Sequence, residues 1–307
     1  MKLRKKILLA GCGILFVIAL FQCVASSNNS IKTLKLEKDY NEITIQNSTE
    51  TIVLQKQADQ NWTVSKNQYA VNDAEFDSIL DALQNLQLLE KVATASSDDV
   101  KEKYDLIEGK VITVTVKNAD KVIRTVNVGK ASSTNYQTYI TVDDSKDIYL
   151  ANGNLNSLFA TTTDALRSKV ITEFDADKID SIQITKADSD WTLSKVQDGE
   201  TFIWQLTGVP GSVEVDLENA NAWVKSFETF VASSWIPNNK LPAGTKELTC
   251  TVKTDTETVT FDVYSNPPVA EGESPQYFGS CSACEYVFNL PSYTFSRFNK
   301  DPSTFAK

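Results

Sequence analysis

Cys281-Ser282-Ala283-Cys284 is the one compact cluster of reactive side chains in the sequence. A redox pair of the thioredoxin kind places its first cysteine at a helix N-terminus, where the dipole favours the thiolate. Here the four residues lie between Tyr277-Phe278 and Tyr286-Val287-Phe288, two apolar stretches that read as strands. The spacing therefore predicts a hairpin turn stapled by a small Cys281–Cys284 disulfide. Free thiols or a partial metal site are the alternatives, but a cysteine-only zinc site needs four ligands and Cys250 supplies just a third. Cys250 alternates with Leu248 and Val252, which points it into a core as a small apolar residue.

The rest of the chain offers little chemistry. It has no histidine, which removes the usual general base near neutral pH, the Ser-His and Cys-His nucleophile pairs, and the histidine-containing zinc sites. Carboxylates remain, but Asp98-Asp99, Asp143-Asp144 and Asp175/Asp177 read as turn or surface residues, and Asp73 and Asp216 are explained by helix starts. Asp143-Asp144 also lacks the alternating ligands of a calcium loop. No glycine-rich phosphate loop occurs: Gly11-Cys12-Gly13 lies inside an apolar run, and Gly208–Gly211 lacks the Lys-Ser/Thr end. No catalytic residue, cofactor or metal ligand is expected. The net charge of -10, with Lys and Arg scattered among acids, argues against nucleic acid as a partner. Trp62, Trp191, Trp204 and Trp223 sit in periodic patterns and read as core; Trp235, two residues before Pro237, is left as a surface contact for a partner.

The elements that would carry these residues occur in two series. Ile43, Ile45, Ile52 and Leu54 form an alternating hairpin about Asn47–Glu50, and Trp62 and Val64 extend it. Asn72 and Glu75 then form a capping box for a helix over Asp73–Glu90 with Phe76, Ile79, Leu80, Leu83 and Leu86 on one face. Strands at Val111–Val116, Val122–Val128 and either side of Asp143–Lys146 follow, and a short helix after Asn154 buries Leu155, Leu158 and Phe159.

The order recurs about 140 residues on, an offset read from matching positions. Ile179, Ile182 and Ile184 open it, and Trp191–Leu193 and Phe202–Trp204 give the next strands. Asp216 caps a helix with Trp223, Val224, Phe227, Phe230 and Val231 on one side; paired strands and the cysteine hairpin close the copy. The expected class is α+β: two tandem similar modules, each a mainly antiparallel sheet against one long and one short helix. The expected division is 1–30 for an anchor or signal, 31–170 for the first module and 171–307 for a divergent second copy.

At the N-terminus, Lys2–Lys6 is basic and Ile7–Phe21 is apolar or glycine throughout. Read as an uncleaved span, Ile7–Ala25 approaches the roughly 20 residues needed to cross a bilayer. Leu20-Phe21-Gln22-Cys23 partly matches a bacterial lipobox, making Cys23 a lipidation candidate, and Cys23-Val24-Ala25 is a poor cleavage site for free secretion. The basic end predicts a protein attached to the cell membrane with the bulk of the chain extracytoplasmic.

Trp62, Tyr69, Val71-Asn72-Asp73, Tyr104-Asp105-Leu106, Val128-Gly129, Tyr139–Leu150 and Asp164–Lys169 together resemble the bacterial family called domain of unknown function 4340. Asp105 stands where that family usually has glycine, and Gly109 near where it often has proline. The resemblance implies N-terminally anchored envelope proteins, some of them auxiliary subunits of ABC transporters, and supplies no catalytic or ligand residues. The expected function is thus a non-catalytic, membrane-anchored binding or scaffold protein with envelope or transporter partners. A small-molecule or glycan binding module and a carboxylate-dependent hydrolase are the alternatives.

Overall fold

Alternation of branched apolar residues with polar ones builds the sheets. On the strand Glu42–Gln46, Ile43 and Ile45 are fully buried, while their neighbours face the other side. The computed structural model describes residues 31–36, 39–199, 201–267 and 274–307. It is a mixed α+β chain with two large antiparallel sheets, each flanked by a few helices. The chain divides into two units between Ser168 and Lys169.

Unit 1 runs β1 (Lys32–Lys35), β2 (Glu42–Gln46), β3 (Thr51–Lys56), β4 (Trp62–Val64), β5 (Tyr69–Ala70), α1 (Asp73–Gln84), β6 (Asn85–Thr94) and α2 (Asp98–Lys103). It continues through β7 (Ile112–Asn118), β8 (Lys121–Ala131), β9 (Gln137–Val142), β10 (Asp147–Asn152), α3 (Leu155–Phe159) and α4 (Thr163–Leu166). The strand order is β1-β6-β10-β9-β8-β7-β2-β3-β4-β5, antiparallel throughout. Phe76, Ile79 and Leu83 of α1 and Leu155 and Phe159 of α3 cover one face, completing a core with Ile43, Val114, Val126 and Ile140.

Two expected features of α1 differ. Asn72 is the N-cap, but its side chain makes no capping bond; its N–H donates to Leu166 O at 2.7 Å, so docking of α4 positions the helix start. The helix also stops at Gln84 rather than Glu90. Its final carbonyls find partners elsewhere: Leu36 N–H donates to Gln84 O (3.2 Å) and the Arg124 guanidinium to Leu83 O (3.4 Å). Leu86 and Leu88 are then buried by strand alternation on β6.

Unit 2 runs β11 (Val170–Glu173), β12 (Ile179–Thr185), β13 (Asp190–Asp198), β14 (Thr201–Thr207), α5 (Leu217–Lys225), β15 (Thr229–Val231) and β16 (Ser234–Trp235). Then come β17 (Thr245–Thr254), β18 (Thr258–Asn266), β19 (Gln276–Cys281), β20 (Cys284–Leu290) and α6 (Ser292–Phe298). The large sheet is ordered β14-β13-β12-β17-β18-β19-β20-β16, and β11 pairs separately with β15. Asp216 caps α5, accepting from the N–H groups of Glu218 and Asn219. The helix ends at Lys225, so Phe230 reaches the core from β15 and not from a helix face.

Among the described residues no helix is long and apolar enough to cross a membrane. The longest described helix, α1, has 12 residues, about 18 Å at the usual rise, against a hydrocarbon core of about 30 Å. The expected transmembrane, signal and lipoprotein reading, with the membrane attachment, extracytoplasmic placement and transporter partners built on it, is corrected to this extent: the described residues supply no membrane-spanning helix. Ile7–Ala25 and Cys23 lie outside the described residues.

In unit 1 the Lys117 ammonium, 2.8 Å from Glu42, holds that carboxyl below its ordinary value through a hydrogen bond. A lowered carboxyl contributes stability above its unfolded pKa and loses it as pH falls through the folded value. Glu42→Gln is therefore expected to cost less than about 1 kcal/mol at neutral pH. Wild-type and variant urea midpoints should converge as pH is lowered below about 4.5; a constant gap down to acid pH would contradict the assignment.

Candidate functional site

The cysteine motif sits at a hairpin tip. Cys281 and Cys284 are register partners at the end of β19 and the start of β20, so Ser282-Ala283 is the turn and no helix N-terminus is present. Both are free thiols in the structure; Cys281 is buried and Cys284 half-buried. The turn is fastened to β18, with Ser282 N–H donating to Thr260 O and Thr260 N–H donating to Ser282 Oγ, each 2.9 Å. Burial pushes the Cys281 thiol up to about 11 despite backbone N–H groups of Ala283 and Cys284 that oppose the shift. Cys250 is fully buried in the core, and burial pushes its thiol well above the ordinary value. Among the described residues no group of three or more His, Cys, Asp or Glu is placed to hold a metal ion.

Trp235 lies on β16 opposite Phe288, half-buried, with its ring 5.6 Å from that of Tyr286. It packs against the unit 2 core. Trp191, Trp204 and Trp223 are buried there, whereas Trp62 is half-buried in unit 1. The acidic pairs are structural where their partners are visible: the Asp143 carboxylate accepts from Thr125 N–H, and the Asp175 carboxylate from Asp177 N–H.

The feature that local sequence reading missed is an edge. Strand β14, Thr-Phe-Ile-Trp-Gln-Leu-Thr, terminates the unit 2 sheet among the described residues. It is seven residues long, carries no charge and no proline, and pairs with β13 without a register shift. Natural sheets blunt such edges with short strands, lysines, prolines or bulges, because unpaired N–H and C=O groups accept a further strand. The other sheet ends follow that rule. Strands β5 and β16 have two residues each, and β1 has four, two of them Lys32 and Lys35.

Beside β14 runs a cleft of about 430 Å³ between the strand and α5. Trp204 anchors its floor, its indole N–H donating to Asn221 Oδ1 of α5 at 2.7 Å. Phe202 is 63% exposed and Leu217 41%, both large apolar groups held open to solvent. Lys195 lies over the Phe202 ring at 5.5 Å and donates to the Asp177 carbonyl at 2.7 Å. The cleft is also lined by the acidic Asp175, Asp177 and Glu228 and by the basic Lys225. Charge and aromatic exposure thus meet along a backbone edge that no described strand covers. Gly208, just past the strand, has φ +82° and lies so close to Asp190 O that a Cβ would fall 2.2 Å from it, which fixes where the strand ends.

The family model described as Domain of unknown function (DUF4340) matches residues 62–249, well over half of the chain. The chain belongs to this family. The matched segment begins on β4, runs through β14 and α5, and ends on β17. Neither a curated protein nor a solved structure matches the chain. Family membership stands, while the membrane anchoring that the resemblance implied finds no spanning helix among the described residues.

The family motif residues have structural reasons. Asp105, standing where the family usually has glycine, has φ 56°, a left-handed conformation that glycine adopts without penalty. Its carboxylate pairs with Lys110 Nζ at 2.9 Å.

Proposed function

We propose that the chain is a non-catalytic binding protein made of two copies of one α+β module, and that the second copy takes an extended peptide strand on β14. The single observation carrying this reading is the uncovered β14 edge beside the Phe202 cleft. Duplication is supported by strand order. In unit 1 the series is β6-β10-β9-β8-β7-β2-β3-β4, and in unit 2 it is β16-β20-β19-β18-β17-β12-β13-β14. The helices α1 and α5 fall at the same point of each chain order, as do α3 and α6.

The correspondence makes β14 the counterpart of β4. In unit 1, β4 is covered by β5, with Thr63 facing Ala70 and Val64 facing Tyr69. No described strand takes that place on β14. The module therefore has a strand position that unit 1 fills from its own chain and unit 2 leaves open to a partner. Backbone hydrogen bonds would supply affinity, and alternate side chains entering the cleft would supply selectivity. The fitting occupant is a short extended segment with an apolar side chain for Phe202 and Leu217, flanked by lysine or arginine facing Asp177 and Glu228. A second copy of this chain fits less well, since it too carries a net charge of -10.

A catalytic reading has less behind it. Among the described residues the carboxyls with shifted proton affinity, Glu42, Asp147 and Asp301, move downward, through hydrogen bonds from Lys117, Lys91 and Ser303 first of all. That is opposite to the rise a carboxyl needs to serve as a general acid near neutral pH.

The test titrates the full chain with an alternating threonine–valine heptapeptide flanked by lysines, and with the same peptide N-methylated at alternate residues in each of the two phases. Saturable binding is expected for the parent peptide, loss for one methylated phase, and about tenfold weakening by Phe202→Asp. Equal binding of both methylated peptides would overturn strand addition, as would no binding of the parent. Sedimentation showing a dimer broken by Phe202→Asp would assign the edge to a second copy instead.

A further inference from the structure

The hairpin thiols carry an inference independent of the β14 edge. Register partners on antiparallel strands have Cα atoms about 4.5 or 5.5 Å apart, depending on the pair type, and both values lie inside the disulfide window of about 4.4–6.8 Å. Cys281 and Cys284 are such partners, so their side chains leave the sheet on the same face. Both pack on the unit 2 core. The two hydrogen bonds from the turn to Thr260 hold the tip in place, so closing the bond requires rotamer changes and no rearrangement of strands.

Cys250 is excluded by the same geometry. It faces Phe261 on β18, and Phe261 faces Cys281 on β19. Two strand spacings, about 9.5 Å, then separate Cys250 from Cys281, beyond the reach of a disulfide. Phe261 also fills the row between them. Only one pair in the described residues is therefore poised to bond.

We propose that Cys281 and Cys284 form a reversible intramolecular disulfide by exchange with a low-molecular-weight disulfide, the more accessible Cys284 reacting first. The Cys284 thiolate attacks one sulfur of oxidised glutathione, the glutathione S–S bond breaks, and one glutathione leaves as a thiolate that takes up a proton. Cys281 then gives up its proton and attacks the Cys284 sulfur of the mixed disulfide. The second glutathione leaves and is protonated. Two protein thiols lose two electrons and two protons in all, and oxidised glutathione becomes two reduced molecules. The order follows from position: Cys281 is 5% exposed and cannot meet a bulky disulfide directly.

The experiment equilibrates the full chain in glutathione buffers, blocks remaining thiols with maleimide under denaturing conditions, and maps the products by peptide mass. A bond between Cys281 and Cys284 that reductant reverses, with Cys250 unpaired, is expected. Cys281→Ser should stop at a glutathione adduct on Cys284, and Cys284→Ser should leave Cys281 unreacted; near-ultraviolet circular dichroism checks that both variants fold. In the reduced native Cys284→Ser chain, Cys281 should alkylate at least about a hundredfold more slowly than an ordinary thiol, the factor given by a shift from 9.0 to about 11. Wild-type protein that accumulates the Cys284 adduct without closing, or that keeps both thiols open to maleimide after oxidation, would overturn the proposal. So would a bond mapped to Cys250.

Discussion

Phe230→Ala is expected to lower the stability of unit 2 by about 3–5 kcal/mol, the range for deleting a buried aromatic side chain. Phe230 is fully buried on β15, where that strand meets α6 and β18. Its ring stacks on Phe298 of α6 at 4.9 Å and 3°, lies 4.7 Å from Phe261 of β18, and meets Phe227 edge-on at 5.2 Å. On the remaining side the Arg297 guanidinium sits 4.9 Å from the ring centroid, anchored by a bond to Thr229 O. Removing the ring leaves a cavity that rigid strands cannot close, and strips that partly buried guanidinium of its aromatic partner. Urea unfolding followed by tryptophan emission checks the value. The signal reports unit 2 because Trp191, Trp204, Trp223 and Trp235 all lie there and only Trp62 lies in unit 1. A loss below about 1 kcal/mol would mean that the site collapses around the deletion.

That same residue shows how far the sequence can be read. Trp223, Val224, Phe227, Phe230 and Val231 recur at helical spacing from a capped start, so a helix through all of them is the natural reading. The helix stops at Lys225 all the same, with the Ser226 hydroxyl donating to Trp223 O at 2.6 Å. Phe227 and Phe230 are buried in either conformation, so the apolar pattern identifies core residues without locating the helix end. Leu83 and Leu86 raise the same ambiguity at the end of α1, where the stop is set by Leu36 and Arg124, residues far away in sequence.

Hairpins were more legible. Asn47–Glu50, Asp143–Lys146 and Ser282-Ala283 each join strands whose alternation is local, and Asn47 accepts from the N–H groups of Thr49 and Glu50 as a turn asparagine should. The β14 edge was not legible. The lack of charge in Thr201–Thr207 can be read from the sequence, but the same composition suits an interior strand. Only the sheet order places it at the end. Nor can composition say that β5 covers β4 while no described strand covers β14, because that difference depends on where a short chain segment lies in space.

Gly129→Ala is expected to destabilise unit 1 by about 1–3 kcal/mol, the usual range for overpacking, although it adds only a methyl group. A Cβ at this position would lie 2.1 Å from Tyr104 O and 3.2 Å from the Leu106 side chain. The obstacle at 2.1 Å is backbone, so no rotamer change relieves it. The approach is close because the turn after α2 docks onto β8: Lys130 N–H donates to Tyr104 O at 2.9 Å, and the Asn156 amide donates to Gly129 O at 2.8 Å. Adding the methyl forces the Tyr104–Leu106 turn away from the sheet, weakening the bond to Lys130 and loosening Leu106. This joins two of the family motifs, Tyr104-Asp105-Leu106 and Val128-Gly129, in one contact: the glycine is there to admit the turn. Hydrogen exchange offers the discriminating measurement. The Lys130 amide should lose protection in Gly129→Ala by more than the global stability change accounts for, whereas amides on β2 and β3 should lose no more than the global change. Uniform loss across the unit, with Lys130 no more affected than β2, would show that the close contact is not what requires glycine here.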